Sequence, residues 1–336
     1  MALKPVPMAI SVLPKSTGSS TSTKESIRVR FSDYLHLIRP AQWIKNVIVF
    51  AGPAAGLKLF TAHGLTRTLL TFAAFCLAAS AGYIVNDILD RRADRSHPTK
   101  RFRPIAAGRI GIGSAAGLAA ILWVLAIGMA ISLLPRGVTL VLCLYVVLTL
   151  SYSSFLKERI ILDVILIAIG FVLRALAGAL AVNVPASEWL IVCVFTLCLF
   201  MGFGKRRCEI AMIGDATEIG HHRRTLVRYT PDLLNHLITV SAGIAVITFL
   251  LYTLDAGGAH ASVFPKQHLF YTLPLVIYGV FRFAMLTELG LYTGPTEIVL
   301  KDKAMLLTII LWTLCALVVA YQTELFGPGG LPKLLV

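Results

Sequence analysis

Charge is scarce in this chain. Only 14% of its 336 residues are Asp, Glu, Lys or Arg, against about 25% in soluble domains, and that shortage excludes an ordinary water-soluble globule. Acidic residues are scarcer still, 17 against 31 Lys and Arg, so the few that cluster carry weight. The six cysteines form no CxxC pair, which excludes the usual zinc and dithiol-redox motifs. Five of them (Cys76, Cys143, Cys193, Cys198 and Cys315) sit in apolar runs, where a thiol behaves as a small hydrophobe. Residues 1–30 are rich in Ser, Thr and Pro and lack a continuous apolar core, so they read as a disordered cytoplasmic tail and not a cleaved signal. No internal repeat with a strong match is evident.

What the chain has in abundance is apolar residues, 57% of the total. They are parcelled into nine runs near the ~17–25 residues that cross a bilayer: roughly 41–60, 65–88, 110–133, 137–155, 160–182, 187–204, 231–254, 269–286 and 303–322. Backbone groups in lipid must be satisfied within their own segment, so these are expected to be helices. Gly52, Pro53 and Gly56 interrupt the first, and Pro274 is expected to kink the eighth. The fold class expected is all-α, a polytopic membrane protein of about nine helices, with residues 31–336 forming one transmembrane domain.

Charge gives the orientation. With a cytoplasmic N-terminus, the cytoplasmic loops carry seventeen basic residues, among them Arg91, Arg92, Lys100, Lys157, Lys205 and Lys301; the other side carries five, Lys58, Arg67, Arg136, Lys266 and Lys333. This is the positive-inside asymmetry. It accounts for the net charge of +14 through anionic headgroups and phosphorylated substrates, with no need for nucleic acid.

The densest signal runs from Tyr83 to Gly108, YIVNDILDRRADRSHPTKRFRPIAAG. Asp87, Asp90 and Asp94 follow one another at steps of three and four, which puts them on one face of a helix, with Asn86 on the same edge. Hard carboxylate oxygens suit Mg²⁺, which shares its shell with substrate phosphates. Lys100, Arg101 and Arg103 come next and are the residue types that hold phosphate. A solvated charged loop does not call for carboxylates at helical spacing. Acid for a metal and base for a phosphate at a membrane surface point to an enzyme handling a diphosphate beside lipid.

Other polar residues gather on the same side. Arg39 and Lys45 lie in IRPAQWIKN, where Trp43 fits an interfacial anchor; Tyr152 and Lys157 end the fourth run. Asp163 and Arg174 stand inside the fifth, eleven residues apart and so on one helical face. Ionisable groups within a span are functional candidates, the alternative being a structural pairing between helices. Lys205, Arg206 and Glu209, at helical spacing in the cytoplasmic segment expected after the sixth run, offer a second charged wall. Asp215 and Glu218 are weaker candidates, Arg223, Arg224 and Arg228 suit either a phosphate or a lipid headgroup, and the adjacent His221 and His222 face different ways.

NDxxDxxxD at 86–94 followed by HPTKRFRPIAAG at 97–108 resembles the first Asp-rich motif of the UbiA-type prenyltransferase superfamily. The resemblance spans most of Ile38–Tyr229 and implies helices around a central cavity that opens toward the bilayer, with Mg²⁺ held by Asp-rich helices. Most members carry a second Asp-rich segment after the sixth span. This chain has KRRCEIAMIGD there, with Glu209 and no DxxxD. With RPAQWIKN, YSSFLK, LDVILIAIGFVLRALAG and KRxxE, it is similar instead to the decaprenyl-phosphate phosphoribosyltransferase branch.

That branch implies transfer of 5-phosphoribose from 5-phosphoribosyl 1-diphosphate to a polyprenyl phosphate, feeding arabinofuranosyl donors for cell-envelope glycans, at the cytoplasmic face of a bacterial plasma membrane. It implies Asp87 and Asp90 as catalytic metal ligands with Asp94 completing the cluster. Lys100, Arg101, Arg103, Lys205 and Arg206 become candidates for the donor phosphates, and Lys45, Lys157 and Arg174 for the lipid phosphate. Prenyl transfer to an aromatic acceptor and a cation-coupled transporter stay open as alternatives, as do monomer and homo-oligomer.

Overall fold

The computed structural model describes residues 31–213, 228–255 and 266–326, and it is helical throughout them. A short helix α1 (Phe31–Ile38) leads into a 3₁₀ segment, Pro40–Phe50, that runs on into α2 (Ala51–Ala55). Then come α3 (Ala62–Leu89), α4 (Arg91–Ser96), α5 (Ile112–Leu133), α6 (Arg136–Ser154), α7 (Leu162–Ala181) and α8 (Glu188–Ile213). The chain closes with α9 (Pro231–Leu254), α10 (Leu273–Glu288), α11 (Pro295–Lys301) and α12 (Lys303–Phe326).

Eight of these helices are long and apolar enough to cross a membrane. The first expected span, 41–60, is not among the eight; it is the broken segment Pro40–Ala55. Pro40 starts it, and Gly52 and Pro53 fall near its end. Its 3₁₀ part rises ~2.0 Å per residue and its α part ~1.5 Å, so it reaches roughly 30 Å, the thickness of the hydrocarbon core. It lies against α3 and α7. Glycines permit that approach: a Cβ on Gly178 would stand 1.8 Å from the Val49 carbonyl oxygen, and one on Gly52 2.7 Å from the Ala179 nitrogen.

Small residues set the remaining spacing. α5 buries Ala115, Ala119, Leu122, Ala126 and Ala130 on one stripe, against a face of α3 that includes Ala74, Ala78 and Ala81. Without a hydrophobic force between helices in lipid, such stripes gain by close van der Waals contact. One apolar cluster joins α3, α5, α6 and α7; a second joins α8, α9, α10 and α11; α7 and α8 pack together and link them.

Two boundaries differ from the sequence expectation. The eighth span, Gln267–Glu288, changes from a 3₁₀ segment (Lys266–Thr272) to α10 at Leu273, with Pro274 in the first α turn, where its missing N–H costs nothing, so the proline marks a change of helix type and not an interruption within α10. α8 continues to Ile213, past the expected span end at 204, so Lys205, Arg206 and Glu209, at the helical spacing expected of them, stand on the same helix as the span. Helix caps follow local chemistry: the Thr61 and Thr230 hydroxyls accept from the amides of Gly64 and Leu233, at 3.1 and 3.2 Å.

Candidate active site

The acidic motif sits at the end of α3. The helix stops at Leu89, and the Asp90 amide still bonds the Asn86 carbonyl at 2.9 Å. Asp94 stands on α4. The single helix face expected for the three carboxylates is therefore divided between two helices, because the backbone at Asp90 (φ −84°, ψ 0°) leaves the helical region.

Cationic arms from three other segments reach these acids. Arg39, whose backbone is left-handed (φ 56°, ψ 61°), donates through Nη2 to both oxygens of Asp87, at 2.5 and 2.7 Å. Its guanidinium also lies 5.3 Å from the centre of the Tyr83 ring. Arg103 Nη1 donates to Asp87 Oδ1 at 3.0 Å and to Asp94 Oδ2 at 2.7 Å. Lys157, on a 3₁₀ turn (Leu156–Glu158) between α6 and α7, pairs with Asp90 Oδ1 and reaches Asn86 Oδ1 at 3.4 Å. Asn86 Nδ2 completes the set on Asp90 Oδ2 at 2.9 Å. Asp87 and Asp94 are buried, and burial pushes the Asp94 carboxyl above its usual range against the opposing pull of Arg103.

The loop that brings Arg103 is itself tied down. His97 Nδ1 accepts from the amides of Thr99 and Lys100, each at 3.2 Å. Arg95 Nε donates to the Ala106 carbonyl at 3.1 Å. Arg109 joins the loop to α1, donating to Asp33 Oδ1 at 2.7 Å and to the Phe102 carbonyl at 2.8 Å.

The second wall is built on α7 and α8. Arg206 Nε donates to Asp163 Oδ2 at 2.9 Å and its Nη1 to Glu209 Oε2 at 2.6 Å. Lys205 lies 3.6 Å from Glu209 Oε1. Tyr229 donates its hydroxyl to Asp163 Oδ1 at 2.9 Å and accepts from the Ile161 amide at 2.6 Å. Asp163 and Arg174 do not pair, although eleven residues on one helix align them. Arg174 instead donates to Asn46 Oδ1 at 2.6 Å and to the Tyr145 hydroxyl at 2.8 Å, and lies over the rings of Tyr145 and Phe171 at 4.6 and 5.0 Å.

Direct contacts, with Asn86 and Asp87 adjacent in the chain, join Arg39, Asn86, Asp87, Asp90, Asp94, Arg103 and Lys157 into one network and Asp163, Lys205, Arg206 and Glu209 into a second. Between them, Lys45 feels the charges of Arg174 and Arg39, and Lys205 those of Lys45 and Tyr152, while Lys100 acts on Asp94. Arg101 stands apart, exposed and stacked 4.9 Å from the Phe102 ring centre. Trp43, half-buried, donates its indole N–H to the buried Ser80 Oγ at 3.0 Å. Asp215, Glu218, His221, His222, Arg223 and Arg224 lie outside the described residues. Sequence reasoning missed Asn46, Tyr145 and Tyr229; only the placement of Asn46 within RPAQWIKN hinted at any of them.

The donor set has the chemistry for Mg²⁺. Among the described residues no three acidic, His or Cys side chains converge as an all-protein metal cage. Mg²⁺ does not need one, being held through one or two carboxylates with water and substrate phosphates filling its shell. Asp87 and Asp90 supply such oxygens, and the Arg and Lys groups now on them are ones that a phosphate would attract.

The fold and the site together define a polytopic helical membrane protein with a cluster of acids paired to cations from other segments. The chain belongs to the UbiA prenyltransferase family, whose model matches residues 47–293. It is 34% identical over 318 residues to the decaprenyl-phosphate phosphoribosyltransferase of Corynebacterium glutamicum, covering 93% of this chain and 94% of that one. It is 34% identical over 280 residues to the enzyme of that name from Mycobacterium tuberculosis, covering 82% and 90%. In fold it is similar to a UbiA homolog from Archaeoglobus fulgidus bound to GPP and Mg²⁺, with a TM-score of 0.67 at 17% identity over 86% of this chain and 98% of that one.

Proposed function

We propose that this protein is an Mg²⁺-dependent transferase that moves 5-phosphoribose from 5-phosphoribosyl 1-diphosphate to a polyprenyl phosphate and releases diphosphate. The active site faces the cytoplasm at the plasma membrane of a bacterium, and the product feeds arabinofuranosyl donors for the cell envelope. The observation that carries this reading is an asymmetry between the two walls. Three acids, Asp87, Asp90 and Asp94, stand on one wall, each paired with a cation from another segment, while the two acids of the opposite wall, Asp163 and Glu209, share a single arginine, Arg206. One metal-holding wall faced by surplus cations suits a donor with phosphate at both ends of its sugar. The named relatives, about a third identical along most of the chain, support the same choice.

Asp87 and Asp90 would hold the Mg²⁺, with Asp94 beside them; bound there, the ion would neutralise charge on the departing diphosphate. Arg103, Arg39 and Lys100 stand where they can pass from carboxylate to phosphate oxygens, fixing the diphosphate by bidentate and charge-assisted bonds. Lys157 and Lys45 hold the lipid phosphate near the sugar. That phosphate is already anionic, so its oxygen attacks C1 without a general base. The C1–O bond to diphosphate breaks as the new C1–O bond forms, and the electron pair leaves with diphosphate. Attack from the opposite side inverts C1. Positive charge fixed in a site shielded from water stabilises the leaving group more than it would in bulk.

Purified protein in detergent, given Mg²⁺, polyprenyl phosphate and ribose-labelled phosphoribosyl diphosphate, should move label into the organic phase. Label that stays aqueous, while a quinone-precursor aromatic acid is prenylated from a polyprenyl diphosphate, would overturn this reading in favour of prenyl transfer.

A further inference from the structure

The link between Lys157 and the second wall runs through one strained residue. Ile161 has φ 65° and ψ −50°, and the amide of Leu162 bonds back to the Ile160 carbonyl at 2.6 Å. This is a γ-turn of the rare, strained kind, and a β-branched residue at positive φ is a genuine outlier. Such a conformation persists only when its surroundings hold it. Here the holder is identifiable. The Ile161 amide donates to the Tyr229 hydroxyl at 2.6 Å, and that hydroxyl donates onward to Asp163 Oδ1 at 2.9 Å. Tyr229 is 3% exposed, and burial pushes its hydroxyl well above the usual range, so the proton needed for Asp163 stays in place. Arg206 anchors Asp163 from its other oxygen.

Four residues before Ile161 stands Lys157, on the short turn that ends where Arg159 begins its approach to α7. The amide of Asp163 reaches back to the Arg159 carbonyl at 3.0 Å. The turn at Ile161 therefore sets where the Lys157 segment leaves α7, and with it the reach of Lys157 to Asp90 and Asn86.

We propose that Tyr229 is a positioning residue: its hydroxyl clamps the strained turn at Ile161 and so fixes Lys157 against Asp90. It touches no substrate and acts through Lys157, so this inference rests on the role given to Lys157 above.

The test is Tyr229→Phe, which keeps the ring and deletes the hydroxyl. Two readouts separate the clamp from the reaction. Hydrogen–deuterium exchange of the 155–163 peptide should rise in the folded variant whatever the protein catalyses; unchanged exchange would overturn the clamp. In the label-transfer assay, kcat/KM should fall about ten- to hundredfold, the scale of a hydrogen bond to a charged group. On a Lys157→Met background the same change should cost less than about threefold, because the residue being positioned is gone. On an Ile161→Gly background, where the strain is relieved, it should likewise cost less than about threefold. Losses that multiply in both backgrounds would show Tyr229 acting independently of Lys157 and overturn the proposal. A wild-type protein that moves no phosphoribose would sink the functional reading alone, since the exchange measurement still decides the clamp.

Discussion

Arg206→Met tests the second wall most sharply. Arg206 is 1% exposed and Asp163 0%, so this ion pair has left solvent altogether. At 2.9 Å and an effective dielectric near 20, the Coulomb attraction is about 5–6 kcal/mol. That figure is not the net value of the pair, because both ions have been desolvated. Removing one partner nevertheless costs about 3–5 kcal/mol, since the other charge stays buried. Glu209 is 26% exposed and can regain water, so most of the cost falls on Asp163. The Tyr229 hydroxyl remains on Asp163 and holds the loss near the lower end, about 3 kcal/mol. Unfolding in mixed micelles with a rising fraction of denaturing detergent measures it. The companion variant, Arg206→Met with Asp163→Asn, should regain at least about 1 kcal/mol by removing the stranded charge. A single variant within about 1 kcal/mol of the parent, or a double variant no better than the single, would refute the buried-pair argument.

Other outcomes follow from the same geometry. Gly178→Ala places a Cβ 1.8 Å from the Val49 carbonyl oxygen and should destabilise by about 1–3 kcal/mol or more, as overpacking does, read by thermal unfolding in detergent. Lys157→Met, which strips the cation from Asp90, should lower kcat/KM for phosphoribosyl transfer by about tenfold or more, while its melting temperature stays close to that of the parent. Asn46→Leu removes the acceptor at 2.6 Å from buried Arg174 and should cost about 1–3 kcal/mol of stability; replacing Arg174 with Leu as well should recover part of that loss, by the same unfolding measurement.

The amino-acid sequence reveals the membrane class because it depends on local periodicity, and the acidic cluster because its members lie close in the chain, even though the helix breaks at Asp90. Apolar runs near twenty residues announce spans, and Asp87, Asp90 and Asp94 announce a site by their spacing. The partners of those acids are tertiary. Nothing local to Arg39 shows that its guanidinium will reach Asp87, forty-eight residues away, or that Lys157 will cross to Asp90. Asp163 and Arg174 illustrate the limit well. Their spacing aligns them on one helix, yet neighbouring elements supply a better partner to each, Arg206 to one and Asn46 with Tyr145 to the other. Charge misplaced the end of the sixth span: Lys205, Arg206 and Arg207 read as its cytoplasmic flank until α8 is seen to carry them onward, with Arg206 turned inward. Tyr229 carries no local signal at all, because its role depends on a strained backbone at Ile161.

Phosphoribosyl transfer by this protein requires Asp87 and Asp90 to hold a divalent ion at the phosphate end of the site. Mn²⁺ can report on this directly by paramagnetic resonance in the presence of phosphoribosyl diphosphate. The parent protein should bind the ion and show the immobilised signal, and Asp87→Asn with Asp90→Asn should weaken binding at least about tenfold while the protein stays folded. Equal Mn²⁺ binding by the parent and the doubly substituted protein would contradict it.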